Sequence, residues 1–145
     1  MKCLLQRVSY AKLYIDSTLY SQISNGLLAL VCFCKNDNKL NIDLMVKKII
    51  NLRIFEDCDK KFNLSLKDIN GSIMLVSQFT LAADTKKGNR PSFFDAMEPQ
   101  NASQLYNEMI EEFKKNNINT QTGIFGASMK IELLNDGPVT IMLEN

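Results

Sequence analysis

Two short stretches of the chain carry residue types that could do chemistry. The first is SQFTL, Ser77–Leu81, which follows the apolar and β-branched run Gly71–Val76. That run predicts a buried strand, so its polar end would hold two hydroxyls and an amide on a rigid support. On local pattern alone, these side chains would merely satisfy the backbone at a strand end.

The second stretch is NDGPVT, Asn135–Thr140, in which Gly137-Pro138 separates two strand-like runs. Proline has no N–H to donate in a central ladder, and Gly-Pro at such a junction is typical of a sharp turn. The structural interpretation is a hairpin turn that closes the sheet. The functional alternative is a cis peptide whose exposed carbonyl groups form a pocket wall.

The absence of histidine restricts the chemistry further. Ser-His and Cys-His nucleophile systems are excluded, as are zinc sites with histidine ligands. A hydrolase would need a carboxylate, a hydroxyl, backbone dipoles, water or the substrate itself for its proton transfers. The cysteines form no C-x-x-C pair, and Cys32 and Cys34 would share one face of an apolar strand as core thiols. We expect no metal and no cofactor.

Composition favours one globular domain over residues 1–145, with 46% hydrophobic and 23% charged residues. No apolar run is long enough to span a bilayer, and Met1–Val8 is too short and too soon polar for a signal peptide. A cytoplasmic location is therefore expected. The 17 basic and 16 acidic residues leave a net charge of +1, which argues against a dedicated electrostatic nucleic-acid binder. A nucleic-acid contact would have to come from a local patch.

The supporting elements follow from hydrophobic periodicity. Apolar runs predict strands at residues 2–16, 18–23, 27–34, 71–79, 118–125, 128–134 and 139–144, with a further short strand possible at 53–55. A helical period begins near Asn41, and a second helix, capped by Asn101 or Ser103, would extend to about Lys115. The predicted buried stripes comprise Ile42, Met45, Val46, Ile49 and Ile50 in the first helix, and Leu105, Met109, Ile110 and Phe113 in the second. The order β-β-β-α-β-α-β-β-β predicts a β-rich, mixed α/β domain with two helices on one side and some parallel crossovers.

The loop after the Ser77–Leu81 stretch is basic, with Lys86, Lys87 and Arg90 close to Gly88 and Pro91. It is either an ordinary solvated loop or a phosphate-contacting lip beside the end of the strand.

Together, SQFTL and NDGPVT resemble the paired signature of the D-aminoacyl-tRNA deacylase family. Segments Gln6–Val8, Lys87–Phe93 and Phe125–Met129 agree with the family pattern in the same order. The similarity extends over the whole chain, with no departure at a motif position.

The resemblance implies an enzyme that hydrolyses the ester between a D-amino acid and the terminal adenosine of tRNA, and that also removes glycine misplaced on tRNA. It implies a homodimer in which Gly137-Pro138 of one subunit completes the Ser77–Leu81 pocket of the other. The expected partners are the aminoacylated 3′ end of tRNA and a second subunit, with neither membrane nor DNA.

The catalytic residues implied are Ser77, Gln78, Phe79 and Thr80. Backbone N–H groups near Phe79 and Thr80 would stabilise the tetrahedral oxyanion, while Gln78 and the two hydroxyls orient the substrate or water. The attacking group stays open between Thr80, water and a ribose 2′-hydroxyl, although nothing in the sequence supplies a base to activate Thr80.

Chiral selection is assigned to Gly137, Pro138, Thr140 and Arg7, with Arg7 anchoring the Gly137-Pro138 loop. Carbonyl groups of the loop would exclude an L side chain, a D side chain would point outwards, and glycine would pass. The tRNA contacts implied are Lys86, Lys87 and Arg90 for phosphates, and Phe125, Ala127 and Met129 for the terminal adenosine. The last three could equally be core residues.

Three alternatives remain from the sequence. A non-catalytic RNA-binding module would be expected to have degraded versions of the two motifs, and both are intact. A structural dimerisation domain would need no polar exit from the sheet. An esterase for small D-amino acid esters would differ from the favoured function in not depending on the tRNA portion.

Overall fold

The computed structural model describes residues 1–145. The elements are β1 (Lys2–Ile15), β2 (Thr18–Ile23), β3 (Gly26–Cys32), α1 (Lys39–Asn51), β4 (Phe55–Glu56), β5 (Phe62–Leu64), β6 (Ser72–Ser77), α2 (Pro99–Lys115), β7 (Asn119–Thr122) and β8 (Lys130–Glu144). A short 3₁₀ turn, Phe79–Ala82, follows β6. This is the strand-rich, mixed α/β domain with two helices that the sequence predicts.

The main sheet has six strands, and β1 organises it. One edge of β1 pairs with β8, and the other edge pairs first with β3 and then with β2, all antiparallel. Beyond β3 the sheet continues through β6 and β7, and both of these pairings are parallel. The predicted parallel crossovers are therefore present.

Both helices contribute to one hydrophobic core of 23 buried residues against the sheet. The stripe predicted for α1 is buried throughout. In α2 the buried residues are Ala102, Tyr106, Met109 and Phe113, whereas Leu105 and Ile110 are only partly buried. On the opposite face of the sheet a second cluster of seven buried residues forms, and the partly buried Met129, Ile131 and Leu133 pack against it. No helix is both long and apolar enough to cross a membrane.

Several element boundaries differ from the prediction. Strand β3 ends at Cys32 rather than at residue 34, so Cys34 lies beyond it and is only half-buried, and β7 covers Asn119–Thr122 rather than 118–125. Helix α2 begins at Pro99, so Asn101 and Ser103 lie inside it and neither caps it; proline suits the first helical position because its missing N–H would have no partner there. Strand β6 ends at Ser77 because the chain then enters the 3₁₀ turn. The short strand expected at 53–55 is β4, shifted to Phe55–Glu56 and paired with β5 in a separate two-stranded sheet.

The largest difference concerns Gly137-Pro138. The two final strand runs belong to one strand, β8, so the predicted hairpin turn is wrong. The ladder instead shifts between Gln6↔Thr140 and Val8↔Asn135, which leaves residues 136–139 bulged opposite Arg7. The Gly137-Pro138 peptide bond is cis.

Candidate active site

A cleft of about 640 Å³ lies where the carboxyl ends of the three parallel strands meet. Ligands of α/β sheets bind in this position because the loops that follow parallel strands converge there. The lining comprises Val31–Phe33 after β3, Val76–Phe79 after β6, Phe93, Ala96–Pro99 and Ala102 from the connection into α2, and Phe125–Ala127, Met129 and Ile131 after β7. Sequence segments almost a hundred residues apart therefore share one site.

The SQFTL stretch enters the cleft through a tight backbone turn. Ser77 pairs with Val31, and the Gln78 N–H donates to the Val31 carbonyl at 2.7 Å. The 3₁₀ turn then begins, with Leu81 N–H donating to the Gln78 carbonyl at 3.2 Å. The N–H groups of Phe79 and Thr80, at the start of this turn, donate to no acceptor within the chain, as is usual for the first residues of a helical turn. Two adjacent backbone donors are thus free beside the cleft.

The Thr80 hydroxyl has one partner, the Gln78 amide, whose Nε2 donates to Oγ1 at 2.5 Å. An amide cannot accept the hydroxyl proton, so this contact supplies no general base. The Phe79 ring is 58% exposed and meets Phe93 edge-to-face, with the ring centroids 5.0 Å apart. Phe79 and Phe93 thereby form an apolar rim beside the polar turn.

Cys32 lines the cleft, although the sequence predicts it only as a core thiol. Its Sγ lies 3.5 Å from the Phe79 carbonyl oxygen and 3.6 Å from that of Phe33, so its one proton can be donated to either. Burial, and then the neighbouring Cys34, raise the pKa of the Cys32 thiol to about 11. The thiol is therefore protonated at neutral pH and is no nucleophile there, since the thiolate is the reactive form.

The residues expected at the adenosine, Phe125, Ala127 and Met129, line the same cleft as Ser77, Gln78 and Phe79. All three are half-buried, and Phe125 also packs on Tyr106 of the core, with ring centroids 6.0 Å apart. The wall opposite the SQFTL turn is consequently apolar and fixed to the core.

The basic loop forms a small hairpin that leads into the cleft. Asp84 and Ser92 exchange two backbone hydrogen bonds of 2.7 and 2.9 Å, which close the loop between them. The basic side chains at its tip, Lys86, Lys87 and Arg90, are exposed and lie outside the cleft lining.

The bulge that contains Gly137-Pro138 is held by Arg7, whose side chain is only 5% exposed. Arg7 Nη1 donates to the Ile54 carbonyl at 2.8 Å, and Nε donates to the Asp136 carbonyl at 3.3 Å. The guanidinium lies 3.5 Å from a Glu56 carboxylate oxygen and 3.4 Å from one of Asp136. Its carbon also stands 5.3 Å from the centroid of the Phe62 ring.

Asn135 completes the bulge from the other side. Its Nδ2 donates to the carbonyls of Arg7 and Val139, at 2.9 and 3.0 Å, and its Oδ1 accepts from the Thr140 hydroxyl at 3.1 Å. An alanine at position 137 would place its Cβ 2.9 Å from Arg7 Nη2, at a φ of +113° that L residues rarely adopt. Glycine is thus required by both the backbone and the packing.

The structure does not bring this bulge to the cleft of its own chain. Ser77 pairs with Val31, Val31 with Cys3, and Cys3 with Leu143, so the end of β8 at Leu143 lies three strands away from Ser77. At the usual strand spacing this is about 14 Å, and residues 137–138 lie further along β8. None of Arg7, Gly137, Pro138 and Thr140 lines the cleft.

Sequence reasoning missed the connection between the basic loop and α2. Phe93, Met97 and Pro99 line the cleft because the connection is tied to the end of β3, with Met97 N–H donating to the Phe33 carbonyl at 3.0 Å. The one signal available was the position of Phe93 at the end of the Lys87–Phe93 segment.

Comparison with known proteins identifies the fold and then the family. The chain aligns with a structure of a probable eukaryotic D-amino acid tRNA deacylase with a TM-score of 0.85 at 16% identity, covering 98% of this chain and 97% of that one. The fold is that of the D-amino acid tRNA deacylases. A structure of a c-Myc DNA Unwinding Element Binding Protein aligns with a TM-score of 0.94 at 38% identity, covering 100% and 99% of the two chains.

The model of the D-Tyr-tRNA(Tyr) deacylase family matches residues 4–144 of the chain. D-aminoacyl-tRNA deacylases of Finegoldia magna and Flavobacterium psychrophilum are each 51% identical to the chain, covering all of it and 98% and 97% of their own lengths. The chain belongs to the D-Tyr-tRNA(Tyr) deacylase family, which confirms the resemblance found in the sequence.

The protonation state of Cys32 is testable by alkylation of the native protein. At pH 7.5 iodoacetamide should modify the exposed Cys58 first and leave Cys32 and the buried Cys3 largely unmodified, because burial also raises the pKa of Cys3 to about 12. The rate at Cys32 should rise about tenfold per pH unit as the thiolate fraction grows. Mass spectrometry of tryptic peptides gives the rates, and a Cys58→Ala variant removes the competing site. Equal rates at Cys32 and Cys58 at pH 7.5 would contradict the assignment.

Proposed function

We propose that the chain hydrolyses the ester of D-aminoacyl-tRNA and releases the D-amino acid and tRNA. The observation that carries the proposal is the pair of free backbone N–H groups at the start of the 3₁₀ turn, on Phe79, which lines the cleft, and on the adjacent Thr80, which does not. Hydrolysis of an ester passes through a tetrahedral oxyanion, and such donors stabilise that charge. Family membership supports the same reaction. The activity is assigned to the cytoplasm, where charged tRNA is used.

The attacking group is a water molecule or the ribose 2′-hydroxyl of the substrate. The Thr80 hydroxyl is bonded to an amide, and the Cys32 thiol is protonated, so neither is an activated nucleophile. The Gln78 amide and the hydroxyls of Ser77 and Thr80 position the reacting groups. Catalysis then depends on backbone donors, each worth about 2.7–4 kcal/mol of barrier stabilisation in comparable enzymes.

The active protein is a homodimer in this proposal. One edge of the fifteen-residue strand β8 is unpaired, and the strand exposes Leu134 and Met142 beside the half-buried Ile131, Leu133 and Ile141. Such an edge favours pairing with another chain, and a second copy is the simplest partner. The separation of the bulge from the cleft within one chain supports the same assembly, because Gly137-Pro138 can then complete the cleft of the partner.

Chiral selection follows from backbone crowding. Carbonyl groups of Gly137 and Pro138, held by Arg7 and Asn135, would occupy the space that an L side chain needs. A D side chain would point away from them, which makes selection independent of side-chain identity. Glycine has no side chain to be excluded, so glycyl-tRNA is a further substrate. Phe125, Ala127 and Met129 would contact the terminal adenosine, and Lys86, Lys87 and Arg90 the phosphates.

The first test compares release of amino acid from D-tyrosyl-tRNA and L-tyrosyl-tRNA at matched enzyme and salt concentrations. We expect rapid hydrolysis of the D ester and negligible hydrolysis of the L ester. Equal hydrolysis of both would remove the chiral filter and leave an esterase. Binding of tRNA with no hydrolysis of either ester would instead support a binding module.

The backbone donor can be removed at position 79. Phe79→Pro deletes the N–H at the first residue of the 3₁₀ turn, where proline is tolerated, and the preceding Gln78 is already non-helical. Phe79→Ala is the matched control, since it also loses the ring but keeps the N–H. We expect kcat on D-tyrosyl-tRNA to be about 100- to 1,000-fold lower for Phe79→Pro than for Phe79→Ala. Equal kcat values would exclude this N–H from catalysis.

If each active site is built from two subunits, two inactive variants should restore activity to each other in a heterodimer. Homodimers of Phe79→Pro and of Gly137→Ala should both have lost most activity. A heterodimer of the two, purified through different affinity tags, contains one cleft and one bulge that are both intact. It should show about half of the wild-type kcat, since one of two sites is restored. A heterodimer as inactive as its parents would place both elements in one chain.

A further inference from the structure

An exposed aromatic residue stands directly beside the cleft. Phe94 is 76% exposed, more than any other large hydrophobic residue of the chain. Its neighbour Phe93 lines the cleft and contacts Phe79, whereas Phe94 lies outside the lining. The core therefore gives no reason for an aromatic residue at position 94.

The turn that carries Phe94 is fixed rather than loose. Ala96 N–H donates to the Phe93 carbonyl at 3.0 Å and closes the turn. Backbone hydrogen bonds from Lys35 to the Asp95 carbonyl, at 3.1 Å, and from Met97 to the Phe33 carbonyl, at 3.0 Å, join it to the segment after β3. The ring is thus presented to solvent on a rigid support, which lowers the entropic cost of binding to it.

A lysine accompanies the ring. Lys35 Nζ lies 3.0 Å from the centroid of Phe94, a cation–π contact, and Lys35 forms no salt bridge. One ammonium covers one face of a ring, so the exposed area of Phe94 includes its other face. An aromatic face beside an unpaired positive charge matches a nucleotide, with a base to stack and a phosphate to neutralise.

We propose that Phe94 and Lys35 bind the unpaired nucleotide that precedes the terminal adenosine of the tRNA substrate. The base of this nucleotide stacks on Phe94, and its phosphate contacts Lys35, while the adenosine occupies the cleft beyond Phe93. The inference rests on the proposed function, because it assumes that the adenosine enters this cleft. It makes Phe94 a determinant of specificity for tRNA over shorter esters.

The test uses two substrates that differ only in the preceding nucleotides, D-tyrosyl-tRNA and 3′-O-D-tyrosyl-adenosine. Phe94→Ala should lower kcat/KM on the tRNA about 5- to 150-fold through KM, the range expected for loss of one stacked base. It should leave kcat/KM on the nucleoside ester unchanged. Phe94→Tyr should retain wild-type values, and Phe94→Leu, which is apolar but cannot stack, should resemble Phe94→Ala. Lys35→Gln should make the slope of log K for tRNA binding against log salt concentration shallower by about one, because one fewer phosphate is neutralised.

Four results would overturn the proposal: an equal loss on both substrates, no loss on tRNA, a Leu variant as active as wild type, or a change of oligomeric state in Phe94→Ala. The last would assign the ring to a contact with a second copy of the chain. Affinity for uncharged tRNA provides a readout that does not need catalysis. If the wild-type protein cleaves neither ester, the proposed function fails, while weaker binding of uncharged tRNA by Phe94→Ala and Phe94→Leu than by Phe94→Tyr would still support the stacking site.

Discussion

The parallel pairing of β3 with β6 is the constraint on which the rest of the structure depends. It begins at Gly26 and Ser72, where a Cβ on residue 26 would lie 1.9 Å from the Ser72 carbonyl oxygen. Only glycine permits this approach. From that pair the register continues to Val31 and Ser77, so the SQFTL turn leaves the sheet beside the end of β3. A shift of one residue would turn Ser77 to the other face and close the cleft with core side chains.

Much of the fold could be predicted because hydrophobic periodicity determines which face of each element is buried. The stripe of α1 and the parallel crossovers follow from that pattern alone. The bulge at 136–139 could not be predicted, because Gly-Pro between two strand runs is compatible with a hairpin turn and equally with an interrupted long strand. The choice is made by distant partners, namely the Arg7 guanidinium and the Asn135 amide, which satisfy the backbone where the ladder is broken.

The candidate site shows the same division. Local pattern alone favours a structural role for Ser77, Gln78 and Phe79, because polar residues often satisfy the backbone at a strand end. The family resemblance is what selects them, and it also selects Phe125, Ala127 and Met129. The contribution of Met97 could not be anticipated, because a connecting segment without periodicity is placed by its tertiary hydrogen bonds. A chain without histidine also contains few side chains that sequence could identify as acid or base catalysts. In the proposed mechanism, catalysis depends on the conformation of main-chain groups, which sequence encodes only through the local turn.

The pairing of β1 with β8 has a consequence for how the protein is made. Lys2 pairs with Glu144, so one edge of the strand that is synthesised first has no hydrogen-bonding partner until almost the whole chain has been made. The cleft likewise needs segments from β3, from β6 and from the chain beyond β7. At ordinary rates of translation that edge of β1 stays open for several seconds or more. During this interval the nascent chain has an unpaired strand edge, the feature that makes incompletely folded chains prone to aggregate.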